Sequence, residues 1–189
     1  MPGDPTALTA LPAFPAAEVA SRRARLEHEV VDLFDQFREP LLRYLLTFGL
    51  AIHDCEEVVQ EVFLALFQHL RRGKSRENLR GWLFRVAHNL ALRQRYRSRR
   101  DAGRTADAMV EDLAVDPAPS VEDRLLSGQT QQRLLAVVKA LPEQDRRCLT
   151  LRAEGLRYRE IAAILEMSLG AVSLSLARSL ARVARSAER

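Results

Sequence analysis

Between Asp54 and Leu70 the apolar residues return with the period of an α-helix and of nothing else. Val58, Val59, Val62, Phe63, Leu66, Phe67 and Leu70 share one broad face, while Glu56, Glu57, Gln60, Glu61 and Gln68 share the other. A strand, with its period of two, would scatter both sets over both faces. Asp54 followed by Glu57 has the spacing of a capping box, which predicts a helix start at that aspartate. The same period runs from Leu26 through Val30, Leu33, Phe34 and Phe37, and on through Leu41, Leu42, Leu45, Leu46 and Phe48. Pro40 is the weak point there, so this segment is one long helix or two. Leu79, Trp82, Leu83, Val86, Ala87 and Leu90 mark a further amphipathic helix, which runs out into Arg93, Arg95, Arg97, Arg99 and Arg100. Strand-forming residues are thin, aromatics are 6%, and the fold class expected is all-α.

The 189 residues divide by composition into two small helical domains joined by a flexible linker. Residues 1–25, rich in Pro and Ala, read as a disordered leader. They have no positively charged stretch ahead of an apolar core, and no apolar run has the length of a membrane span. Residues 26–101 form the first domain. Residues 102–125 carry six acids, two prolines and no period, and read as an acidic linker. Residues 126–189 form the second. There Pro142 precedes a helix over Glu143 to Arg152 that Gly155 ends; Tyr158 to Leu165 is a short helix, Glu166 and Met167 turn, and Ser168 is placed to cap a last helix from Leu169. Two short helices, a tight turn and a second helix with a presented N-terminus make a helix-turn-helix.

Charge is distributed in blocks. The net formal charge is +4, but residues 30–70 carry −5, residues 71–101 carry +9, residues 102–125 carry −4 and residues 126–189 carry +5. Two basic surfaces with an acidic connector suit a chain that meets phosphate backbones twice; a solvated pattern without a partner is the plainer alternative. Cys55 and Cys148 are too few for a disulfide framework, which fits a reducing cytoplasm. His53 and Cys55 stand two apart without a second ligand pair, so no metal and no cofactor are expected. No nucleophile, acid pair or phosphate loop suggests an enzyme.

Three stretches, DCEEVVQEVFLALFQHL, LRGWLFRVAHNLALRQRYRSRR and LPEQDRRCLTLRAEGLRYREIAAILEMSLGAV, together resemble, in order and spacing, the small bacterial sigma factors of the extracytoplasmic-function group, within the sigma-70 family. The resemblance spans roughly residues 28–185. It implies a polymerase-binding, minus-10-capturing domain, a connector, and a minus-35-reading domain, with RNA polymerase core enzyme and promoter DNA as partners; it leaves an anti-sigma factor open as a third. On that resemblance Glu57, Gln60 and Glu61 contact polymerase, although a merely solvated face would look the same. Asn78, Arg80, Arg85, Asn89, Arg93 and Arg97 are the candidates for the single-stranded minus-10 element, as amide and guanidinium groups reach base edges and phosphates. Trp82 lies on the apolar face, which favours a core residue over a stacking platform. His88 either faces DNA or is an uninvolved surface histidine.

For the minus-35 element the candidates are Arg157, Arg159, Ser168, Ser173, Ser175 and Arg178. Here the chain departs from the family, whose recognition helix is dense in Lys and Arg: positions 173, 175 and 180 are Ser, Ser and Leu. Each missing phosphate contact removes about one unit from the salt slope of binding, so this domain alone should hold duplex weakly. Arg93 and Tyr96 replace a usual acid and a usual base. A free-standing helix-turn-helix regulator, and a protein that sequesters polymerase without reading promoters, are the competing functions.

Overall fold

A computed structural model describes residues 16–102 and 133–187, and all regular structure among them is helical. The acidic linker and most of the leader lie outside the described residues. Helix α1 runs Ala16–Leu46, α2 Ile52–Arg71 and α3 Leu79–Ala102. A helical stretch over 133–139 leads to α4 (Glu143–Ala153), α5 (Tyr158–Leu165) and α6 (Leu169–Ala187).

Two boundaries differ from expectation. Helix α1 starts at Ala16, so residues 16–25 belong to it and not to the leader, and it passes through Pro40 unbroken. An interior proline costs about 3 kcal/mol. Leu41, Tyr44 and Leu45 just beyond it are fully buried, and each such side chain contributes about 1.5–3 kcal/mol, so packing outweighs the lost bond. Helix α2 starts at Ile52 with Ala51 as its N-cap and no side-chain cap. Asp54 is drawn away from capping: its Oδ1 accepts from Gln94 Nε2 at 3.0 Å, tying α2 to α3.

The N-terminal helices close around Leu41, Tyr44, Leu45, Val62, Leu66, Leu83 and Phe84. Tyr44 is the hub, with ring edges against Phe48 and Phe84 at 5.5 and 5.6 Å. The C-terminal helices enclose Cys148, Leu151, Leu156, Ile161, Val172 and Leu176. Both cysteines are free and buried. Helix α4 ends in a Schellman turn, with Gly155 at φ 84°, Leu156 N–H donating to Leu151 O at 3.1 Å and Gly155 N–H to Arg152 O at 3.0 Å.

The two groups of helices meet along α4. Arg95 forms a bidentate pair with Glu143 at 2.6 and 2.7 Å, and Arg43 another with Glu154 at 2.9 and 3.2 Å. Arg146 donates to Thr47 O at 3.1 Å, and the Arg147 guanidinium lies 4.1 Å from the centroid of Phe48. The hydrogen bond from Arg95 holds the Glu143 carboxyl down at about 2.

Candidate nucleic-acid interface

Helix α3 and the loop before it carry the first candidate surface. The loop over residues 72–78 is pinned from both sides. His69 Nε2 donates to Ser75 O at 2.9 Å and its ring leans on Trp82 at 4.7 Å, while Arg76 pairs with Glu29 of α1 at 2.9 and 3.1 Å. Gly73, at φ 66°, supplies the left-handed step the loop needs. Asn78 ends it at φ 51°, and its Oδ1 accepts the Gly81 N–H at 3.1 Å, so this side chain caps α3 and has only its amide nitrogen left for other work. His69 as a loop anchor was not foreseen; it lies in the last turn of α2, and its meeting with Trp82 is visible only once the loop has folded back.

Beyond the cap, Arg85, Asn89, Arg93 and Arg97 are all exposed on α3. Their spacing of four places them along one slowly turning stripe, and none has a hydrogen-bonding or ionic partner among the described residues. Arg80 behaves differently. Its guanidinium lies 5.6 Å from the Phe37 ring centroid and closes on Gly155, where an added β-carbon would meet Nη1, so it bridges the two groups of helices while the residue stays exposed. Trp82 is half-buried against the core, as its spacing suggests.

His88 fits neither of its expected roles. It is buried, and the Tyr44 hydroxyl lies 2.7 Å from its Nδ1. Burial pushes the Tyr44 hydroxyl far up, so it stays protonated and donates. Burial, with Arg147 nearby, pushes His88 down to about 4, leaving a neutral ring that accepts at Nδ1. The sequence shows His88 one turn from Phe84, but nothing in the period distinguishes a polar core residue from a surface one.

On α2, Glu57, Gln60 and Glu61 are exposed and have no hydrogen-bonding or ionic partner among the described residues, whereas Glu56 is taken by Arg38 at 3.2 Å. Leu64 stands on the same face and is 59% exposed. It was missed because the acidic stripe and the apolar face together seemed to account for the helix. An exposed leucine following three polar residues at helical spacing is the signal that would have found it.

The helix-turn-helix forms as expected. Glu166, at φ 53°, makes the left-handed turn, and Ser168 Oγ accepts the Ala171 N–H at 3.1 Å. Arg157, Arg159 and Ser173 are exposed. Ser175 is not: it is fully buried, and its Oγ donates to the buried Asp145 Oδ1 at 2.7 Å. It shares the inward stripe of α6 with Val172, Leu176 and Ser179, so it cannot reach DNA. Arg178 is held back toward α4, with Nη2 at 3.2 Å from the same Asp145 oxygen, though its side chain is still 54% exposed. Ser168 is committed through its hydroxyl to capping. Leu169, Leu174 and Leu180 are exposed on this helix alongside Arg182 and Arg185.

No group of three or more metal-ligating side chains gathers among the described residues, and no single helix there is long and apolar enough to cross a membrane.

The fold and these surfaces define an all-helical protein of two helix groups, the second built on a helix-turn-helix. Residues 33–101 match the Sigma-70 region 2 family and residues 131–183 match Sigma-70, region 4. The chain belongs to the sigma-70 family, extracytoplasmic-function type. A probable RNA polymerase sigma factor RfaY of Xanthomonas campestris pv. campestris is 33% identical over 132 residues, which are 68% of this chain and 32% of that protein. The ECF RNA polymerase sigma-E factor of Escherichia coli K12 is 31% identical over 126 residues, 63% of this chain and 66% of that one. The matched stretch therefore spans about a third of the first relative and 66% of the second. In fold, the chain is similar to sigma factor RpoE in its complex with anti-sigma factor NepR from Bartonella quintana. The TM-score is 0.62 at 19% identity, covering 83% of this chain and 97% of that one. CnrH in complex with the cytosolic domain of CnrY gives 0.54 at 21% identity, covering 86% and 92%.

Proposed function

We propose that this chain is a promoter-specificity subunit that acts in the cytoplasm, binds RNA polymerase core enzyme and directs it to promoters without catalytic chemistry of its own. The observation that carries the reading is the unpaired, exposed row Arg85, Asn89, Arg93 and Arg97 on α3, set in the same helix group as an acidic face with no other use. A free-standing helix-turn-helix regulator needs neither. Residues 26–101 are read as the unit that captures the minus-10 element, and residues 126–189 as the unit that meets the minus-35 element.

The roles follow the geometry. Glu57, Gln60, Glu61 and Leu64 form the polymerase-facing surface, where charge steers association and the leucine supplies a desolvated anchor. Arg85, Arg93 and Arg97 take phosphates, and Asn89 and the amide nitrogen of Asn78 reach base edges. Arg80 joins them only when it leaves Phe37. At the minus-35 element Arg157, Arg159 and Ser173 meet the duplex, Arg178 in part, and Ser168 positions the helix. An anti-sigma partner is compatible with this arrangement, since the structural neighbour RpoE is in complex with the anti-sigma factor NepR.

The test is run-off transcription with core enzyme on a genomic fragment library. Initiated transcripts with shared upstream elements support the reading. Core binding without any initiation, under any condition, would establish the second one, a polymerase-sequestering protein, which Ser173 and the exposed Leu174 and Leu180 on the outer face of α6 favour.

A further inference from the structure

At the far end of the N-terminal helices, α1, the end of α2 and the start of the basic loop enclose an open cleft of about 790 Å³. It is lined by Arg22, Arg23, Arg25, Arg71 and Arg76, with Glu29 the one acid and Leu26, Phe67 and Leu70 the apolar residues. Two of the cations are neutralised: Arg23 by Glu27 at 2.8 Å and Arg76 by Glu29. Arg25 bonds only to Ser21, through its carbonyl and hydroxyl oxygens, and keeps its full charge. Arg22 and Arg71 have no hydrogen-bonding or ionic partner among the described residues, and all three are exposed. Phe67 and Leu26 are half-buried and leave an accessible apolar floor between them. The α1 side of the cleft precedes residue 33 and so lies outside the region matched to the family.

We propose that this cleft binds a nucleotide of the unpaired DNA strand next to those handled by the loop over residues 72–78, a proposal that rests on the reading of that loop and α3 as a single-strand surface. Three uncompensated guanidiniums around an apolar floor match the two halves of a nucleotide: phosphate oxygens accept from the arginines while the base face covers Leu26 and Phe67. Continuity singles out DNA over an acidic protein segment. Arg71 and Gly73 are at once cleft wall and loop entrance, and the Arg76–Glu29 pair fastens the loop to the same wall, so a strand leaving the loop passes directly over the cleft.

Binding of the full chain to a fluorescein-labelled 15-nucleotide single strand, followed by anisotropy from about 0.1 to 1 M salt, tests this. Each phosphate contact to a single strand contributes about 0.7 to the log–log salt slope. The triple variant Arg22→Ala, Arg25→Ala, Arg71→Ala should flatten that slope by about 2, which is on the order of a 100-fold loss across that decade. All three side chains are exposed, so folding is preserved. The triple variant Arg85→Ala, Asn89→Ala, Arg93→Ala separates the proposal from the reading beneath it. If only that second variant weakens the strand, the cleft proposal fails and the α3 reading stands; if only the first does, the α3 reading fails and takes with it the proposal, which sets the cleft next to that surface. A cleft variant that keeps strand affinity yet loses core polymerase would make the cleft a protein contact and overturn the proposal.

Discussion

Replacing Ser175 by alanine separates a structural role from a DNA-reading one at a position where the family ordinarily places a cation. In the structure this hydroxyl is fully buried and donates to the Asp145 carboxylate at 2.7 Å. A hydrogen bond to a charged group is worth about 1.5–3 kcal/mol, more when its loss strands a buried partner. Asp145 keeps the Arg178 guanidinium at 3.2 Å, so the lower end of that range applies. A loss of about 1.5 kcal/mol is roughly a tenfold rise in the open population. Hydrogen exchange followed by mass spectrometry on the full chain reads it directly: peptides within 169–187 should exchange about tenfold faster, while peptides from α2 are unchanged. Ser173→Ala, on the exposed face, should change exchange by less than about 0.5 kcal/mol. Duplex binding should show the reverse ranking, with Ser175→Ala within twofold of the parent under conditions where the helix is formed. Undisturbed exchange together with a clear loss of duplex affinity for Ser175→Ala would refute the assignment, since it would mean the hydroxyl faces the groove.

Other consequences are as direct. His88 is held neutral in the fold at about 4 against an ordinary 6.5, so the unfolded chain takes up a proton that the folded one refuses. Its contribution is intact above pH 6.5 and declines as pH falls toward 4; at pH 5 the loss is about 2 kcal/mol, and His88→Gln should remove that part of the pH dependence of the urea midpoint. Gly155→Ala forces a β-carbon into φ 84° and pushes aside the Arg80 guanidinium, which should cost about 1 kcal/mol and lower the melting temperature. Leu64→Asp should leave the far-ultraviolet circular dichroism unchanged and weaken co-elution with core polymerase by about tenfold or more. Retention of full binding would remove Leu64 from that surface.

Much of this architecture is legible in the order of residues because burial and period coincide. Val58, Val62, Leu66 and Leu70 recur at helical spacing and all face the core. Tyr158 to Leu165, the Glu166 turn and the Ser168 cap appear where local chemistry places them. What the period hides are polar groups that packing has recruited. Ser175, Asp145 and His88 look like surface residues by composition and become buried because a carboxylate, a hydroxyl and a tyrosine meet them from distant segments. Asp54 likewise has the spacing of a cap, but Gln94 across the helix pair offers it a better partner. Pro40 reads as a break because its cost is local, whereas the burial that outweighs it is shared among three helices. Arg80 and Arg178 look free in sequence and, though exposed, are each held by a neighbour, Phe37 for the one and Asp145 for the other.

The meeting of the two helix groups along α4 carries an obligation that reaches beyond its own contacts. Separating them would uncover the Phe48 ring and leave the half-buried Arg147 guanidinium and the Glu154 carboxylate to find water. Any molecule that prefers the separated form must supply that free energy, and linkage makes the debt mutual. Whatever draws the C-terminal helices away eases access to Arg80 on the N-terminal side, and whatever takes hold of Arg80 loosens the C-terminal helices by the same factor. The coupling between the two surfaces is therefore one quantity measured from two ends, and neither half measured in isolation will report the value it has in the whole chain.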